Sequence, residues 1–179
     1  MNNLVVIQNP EGNQIPNFSS EITVLVLQNS GVAKSRNAAI ENTNSKYLLF
    51  GDDDIEFSEA GIASAINFLD ANQDISILLM QAVDETGKLR KSYPGKAHAL
   101  KLTNCAKAAT YEMAIRVSDI KSKGIRFDEN FGAGATNYIG DEYIFIADAL
   151  RAGLKGAGTG SGEPSTTSIP GNMLSAMTK

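Results

Sequence analysis

Three consecutive aspartates, Asp52, Asp53 and Asp54, stand where an apolar run ends. The run is Tyr47–Phe50, YLLF, and one residue, Gly51, separates it from the acids. Like charges packed at one spot destabilise a fold unless a cation neutralises them or they face solvent. On an extended backbone alternate side chains share a side, so Asp52 and Asp54 would face one way and Asp53 the other. Two carboxylates on one side can hold a hard divalent cation, which prefers oxygen ligands. An acidic triplet is also an ordinary solvated turn; the apolar strand leading into this one sets it apart. A second acidic pair, Asp141 and Glu142, opens the stretch Gly140–Gly153, which reads as a helix apolar almost all round and therefore buried. Acids at that end of a helix serve as caps, or as a general base where they face a cleft. Adjacent helical residues point about 100° apart, so one of the two faces a cleft well, and proximity to Gly132–Gly134 favours Asp141. Arg36 shares a mostly apolar helical face with Val32, Ala39 and Ile40. A half-buried arginine calls for an anion: a carboxylate such as one of the aspartates, or a phosphate, which suits its planar fork.

The elements that must position these residues follow from pattern. Leu4–Ile7 and Ile22–Leu27 read as strands separated by a loop over Gln8–Ser20, rich in Asn, Pro, Gly and Ser. Asn29–Gly31 reads as a turn, Val32–Asn42 as a helix, and Tyr47–Phe50 as a strand buried on both faces. Ser58 can cap a helix with the apolar stripe Ile62, Ile66 and Leu69, and Ile75–Met80 is again a strand. Asp84–Lys88 reads as a polar turn. Lys88–Lys107 is locally basic, either a solvated surface or an anion-binding rim over the aspartates. His98, the one histidine, has no partner in view and reads as structural or exposed. Thr110–Val117 looks like a strand and Ser118–Gly124 like a short helix. Alternating strands and helices predict an α/β domain with a mostly parallel central sheet flanked by helices, a Rossmann-like three-layer sandwich. Residues 1–155 form this domain. Residues 156–179, rich in Gly, Ser and Thr, read as a loop and tail, with Ile169 and Met173–Met177 able to dock.

Composition narrows the function classes. At 179 residues the chain suggests one domain with a sizeable core. A net charge of −4 argues against nucleic acid as the main partner. The single cysteine, Cys105, excludes an intrachain disulfide. No apolar run approaches the roughly 20 residues of a transmembrane span, and no signal peptide is expected. The expected location is the cytoplasm, or the periphery of a membrane.

Taken together, Gly31–Ile40 (GVAKSRNAAI), Tyr47–Phe57 (YLLFGDDDIEF) and Phe127–Gly153 resemble, in order and spacing, a family 2 glycosyltransferase with the GT-A fold. The first matches a glycine and Arg-Asn motif opening a helix. The second matches a strand ending in an Asp-any-Asp motif, Asp52 and Asp54. The third matches an FDE-type loop, an aromatic–glycine run, an acidic pair and a helix ending in Arg-Ala-Gly. The resemblance spans Leu4 to about Leu154 and implies an inverting transfer of a sugar from a nucleotide-diphosphate donor, most simply a UDP-sugar. The acceptor would be a hydroxyl on a saccharide or glycolipid, in polysaccharide or glycoconjugate synthesis. By the same resemblance Asp52 contacts the donor and, with Asp54, holds Mn2+ or Mg2+. Arg36, Asn37, Asp53, Gly132 and Gly134 line the substrate site, and Asp141 or Glu142 deprotonates the acceptor. The family's opening apolar strand and its late histidine ligand have no counterpart here. Two other readings stand beside this one. A non-catalytic GT-A-like module would bind a sugar or a partner protein. A nucleotidyltransferase would call for an early basic loop, and Leu4–Ser20 contains no lysine or arginine.

Overall fold

The computed structural model describes residues 3–160 and the backbone of 167–169. Its centre is a mixed sheet of five strands, in the order β3 (Tyr47–Leu49), β8 (Met113–Arg116), β5 (Ile75–Leu79), β9 (Lys155–Gly158), β7 (His98–Ala99). Neighbours run antiparallel except β5 and β9, which are parallel. The sheet is thus less parallel than the alternation of elements predicts, because β8 inserts antiparallel between β3 and β5. β1 (Asn3–Gln8) and β2 (Ile22–Leu27) form a separate parallel pair. A third small sheet joins β4 (Glu56–Phe57), the backbone of β10 (Thr167–Ile169) and β6 (Ala82–Asp84).

Period-two alternation in the central strands builds two cores. Met113, Ile115 and Ile77 point to one face and meet α1 (Val32–Asn42), α3 (Val117–Ser122) and α4 (Asp141–Arg151) through Ile40, Ile120, Phe145 and Ile146. Ala114 and Leu78 point to the other face and meet Ala65 and Leu69 of α2 (Glu59–Ala71). The result is the expected sandwich of helix, sheet and helix. Ser58 caps α2 as its position implied, its Oγ accepting from Gly61 N at 3.3 Å. Arg116 locks the far end of the sheet: its guanidinium donates to the carbonyls of Leu69 (2.8 Å) and Asn72 (3.3 Å) and to Tyr47 Oη (3.0 Å).

The expected boundary at 155/156 is corrected. Gly156–Gly158 are not loop but the buried part of β9, paired on both sides. Small residues there admit the neighbours: a side chain begun at Gly156 would lie 2.6 Å from Leu100 Cδ1, and at Gly158 2.5 Å from His98 Cε1. Of the expected tail, residues 161–166 and 170–179, with the docking segment Met173–Met177, lie outside the described residues. Among the described residues no helix is long and apolar enough to cross a membrane.

Candidate functional site

α1 brings the first component. Gly31, at φ 127°, lets the chain enter the helix while its N–H donates to Gln8 Oε1 at 2.8 Å. One turn on, Arg36 leaves the helix toward the N-terminus of α4. Its Nη1 donates to Asp141 Oδ2 and lies 3.5 Å from Glu142 Oε1. The guanidinium also stacks over the Phe127 ring, 5.5 Å from its centroid. Of the two partners open from the sequence, the carboxylate is therefore realised, and it is the α4 acidic pair. Asn37, expected to line the substrate site, is buried, 3% exposed. Its amide is committed to the Phe127 backbone, accepting from N at 2.8 Å and donating to O at 2.9 Å, so it holds the loop that follows.

That loop explains the glycines. Ala133 O accepts from Val32 N at 3.0 Å, laying the loop across the first turn of α1. At Gly132, φ 92°, a Cβ would lie 2.7 Å from Val32 Cγ1 and 2.9 Å from Asp141 Cγ. At Gly134, φ 82°, it would lie 3.2 Å from the Cα of Gly31. Both glycines thus serve close packing of the loop between α1 and α4.

Asp141 and Glu142 differ in setting. The Asp141 side chain is 4% exposed, against 24% for Glu142. Burial is the main cause that raises the Asp141 pKa, with Glu142 adding to it and Arg36 opposing. Glu142 instead receives a hydrogen bond from Thr110 Oγ1 at 2.7 Å. Sequence reasoning passed over Thr110 and Tyr111 because it read them as the start of a strand; they form a 3-10 turn, Thr110–Glu112, ahead of β8. Tyr111 lies under the Arg90 guanidinium, 5.6 Å away, and its raised pKa reflects burial first, then Glu112, with Asp52 and Glu142 among the contributing charges.

Beyond β3 the aspartates are not extended. Asp52 O accepts from Ile55 N at 3.2 Å, closing a turn with Asp53 and Asp54 at its centre. The alternating-face expectation fails here, since alternation needs an extended strand. Gly51 admits the Phe57 ring, which a Cβ would meet at 2.7 Å. Asp52 is open to solvent yet crowded by surrounding protein. That partial desolvation raises its pKa, Arg36 lowers it, and Asp54, Asp53 and Glu142 raise it further. The triplet and the α4 pair, almost ninety residues apart, therefore share one electrostatic neighbourhood. Among the described residues no three His, Cys, Asp or Glu side chains converge as a complete metal site. Asp52 and Asp54 offer carboxylate oxygens alone. Carboxylate oxygens are the ligand type a hard divalent cation would take.

The glycosyl transferase family 2 model matches residues 13–107, which carry Arg36 and the aspartate triplet. Comparison with curated proteins finds no match. Among solved structures, S. aureus TarS 1-349 in complex with UDP-GlcNAc superposes with a TM-score of 0.65 at 16% identity, over 95% of this chain and 58% of that one. S. aureus TarS superposes with a TM-score of 0.65 at 15% identity, over 93% and 36%. TarS 1-349 in complex with UDP gives 0.63 at 15%, over 94% and 60%. The chain thus spans between about a third and three fifths of the structures it matches, and what it shares with them is the GT-A fold. Since the family match covers just over half of the 179 residues, the chain belongs to glycosyl transferase family 2.

Proposed function

We propose that the chain transfers a sugar, with inversion, from a nucleoside-diphosphate donor to a hydroxyl acceptor. The observation that carries this reading is the shared neighbourhood of Asp52, Arg36 and Glu142. A donor-side acid and a candidate base are there close enough to act on one another's charge. UDP-sugars are the donor class to try first, since the similar TarS structures hold UDP-GlcNAc and UDP. Asp52 and Asp54 would hold Mn2+ or Mg2+, which when bound supplies positive charge against the diphosphate leaving group. Glu142 is the general base: it is the more exposed of the acidic pair, and Thr110 and Arg36 orient it. Asp141, sealed under Gly132 and bonded to Arg36, positions that arginine. This assignment departs from the preference for Asp141 that closeness to the glycine loop suggested. The proton leaves the acceptor hydroxyl for the Glu142 carboxylate as the oxygen attacks the sugar carbon and the nucleoside diphosphate departs with the electron pair of the broken bond.

Melting temperature in the presence of UDP, with Mn2+ or with EDTA, tests the donor site. A ligand at about 100 times its Kd adds roughly 2.7 kcal/mol of apparent stability. UDP with Mn2+ should raise the melting temperature, EDTA should remove the rise, and Asp54→Ala should abolish it in a folded protein. Absence of any rise with UDP or another nucleoside diphosphate would sink the reading. A rise without sugar transfer or donor hydrolysis would favour the non-catalytic module.

A further inference from the structure

The parallel strands β5 and β9 end side by side, and a cavity of about 160 Å³ lies at their carboxyl ends. That is room for several ordered waters or one small polar group. Crevices at such strand ends are where α/β sheets take ligands. Tyr93, His98, Asn104, Lys107, Glu112 and Thr159 contribute to the wall. The floor is built rather than incidental. Glu112, 1% exposed, accepts from Lys91 Nζ at 2.6 Å, Tyr93 Oη at 2.5 Å and Ala109 N at 3.3 Å, so its charge is already matched. Two donors at the wall are left over. Thr159 Oγ1 is buried without a hydrogen-bond partner among the described residues. Lys107, an exposed residue of the wall, forms no ion pair among the described residues. A buried hydroxyl such as that of Thr159 is rarely left unpaired without a reason.

Charge and position point the same way. Residues 88–107 hold six Lys and Arg and no Asp or Glu, in a chain of net charge −4. The turn Thr110–Glu112 joins this cavity to the proposed base, because Thr110 bonds Glu142 while Glu112, two residues on, lines the cavity. A carboxylate or phosphate could pair with Lys107 and accept from Thr159, whereas a neutral ligand would gain only the second bond. We propose that the cavity binds the anionic group of an acidic acceptor, a carboxylate or a phosphate, whose hydroxyl is then presented to Glu142. This rests on the transferase reading above.

His98 is the one histidine, so its imidazole signals in a proton NMR spectrum report on the cavity directly. Inorganic phosphate and methyl glucuronide should each shift them saturably, and methyl glucoside should not. Lys107→Glu should weaken the response about tenfold or more, as expected for loss of a charge-assisted bond. Thr159→Val, of similar shape, should weaken it in a protein with an unchanged melting temperature. Lys88→Glu, the same charge change outside the cavity wall, should leave it intact. No saturable shift with either anion, an equal response to the glucoside, or equal loss in Lys88→Glu overturns the proposal. The UDP-dependent melting shift is read in parallel. Its absence beside a normal His98 response sinks the donor reading and upholds the anion site; its presence without a His98 response sinks the anion site alone.

Discussion

Asp141 and Glu142 are neighbours in the chain, yet the fold gives them different surroundings, and the difference can be measured. Glu142 is the base in the proposed reaction, so Glu142→Gln should cut turnover about 100-fold or more while UDP binding stays nearly unchanged. Asp141→Asn keeps an oxygen facing Arg36 and should lower turnover less than tenfold. The reverse pattern would transfer the base to Asp141. The pH dependence of stability separates them further. Burial raises the Asp141 carboxyl above 3.8, so the folded chain binds a proton there that the unfolded chain has released. Its ionised form weakens the fold above the folded pKa, and that penalty is relieved as pH falls through it toward 3.8. Urea titrations between neutral and acid pH should show this relief in the parent protein and a smaller one in Asp141→Asn. An identical pH profile in the two proteins would count against a raised Asp141. At this scale the sequence showed the acids and the misplaced charge of Arg36, because a cation on an apolar face demands an anion. It did not show which carboxylate answers, since the partners lie 105 residues apart. Nor could it show that Asp52–Asp54 turn rather than extend.

Elements were legible where periodicity is strong. α1 and α4 each start behind a glycine and run as far as helical spacing puts them, and α2 begins at its serine cap. Strand direction was not legible. An apolar run looks the same whichever way it enters a sheet, so β8 gave no sign that it would run antiparallel to both neighbours. Glycine-rich loops are similarly mute about what lies against them. Gly132 and Gly153 both have positive φ, 92° and 86°. A methyl group added at Gly153 would find no atom within 4 Å, whereas at Gly132 it would meet Val32 and Asp141 at under 3.0 Å. Gly153→Ala should therefore cost about 1 kcal/mol, the conformational strain alone. Gly132→Ala adds overpacking, for about 2–4 kcal/mol in total, and should also lower turnover by displacing Asp141 and Arg36. Equal losses of stability in the two variants would show that the loop yields freely and does not hold α1 against α4.

For the molecule as a whole, the decisive strand is the one that composition disguised. Gly, Ala and Gly at 156–158 carry no strand propensity, and the low-complexity stretch after them makes a tail the natural reading. The reason lies in the neighbours: Leu100 and His98 fill the space that larger side chains would need, and β9 contributes mainly backbone to the sheet, with the small Ala157 side chain alone reaching the core. β9 holds β7 onto β5, since among the described residues β7 pairs with β9 alone. Leu100 N also donates to Gly156 O at 2.8 Å, so the basic segment before it is anchored through the same strand. A chain ending at Lys155 should therefore lose more than a tail. It should expose the edge of β5, release β7 with the cavity wall around His98, and forfeit cooperative unfolding, read as a broadened urea transition and loss of dispersed amide signals. Gly156→Val tests the same contact without deletion, and overpacking against Leu100 should cost about 1–3 kcal/mol. If the shortened chain unfolded at the parent's midpoint with the parent's slope, β9 would be dispensable, and the boundary at 155/156 would stand after all.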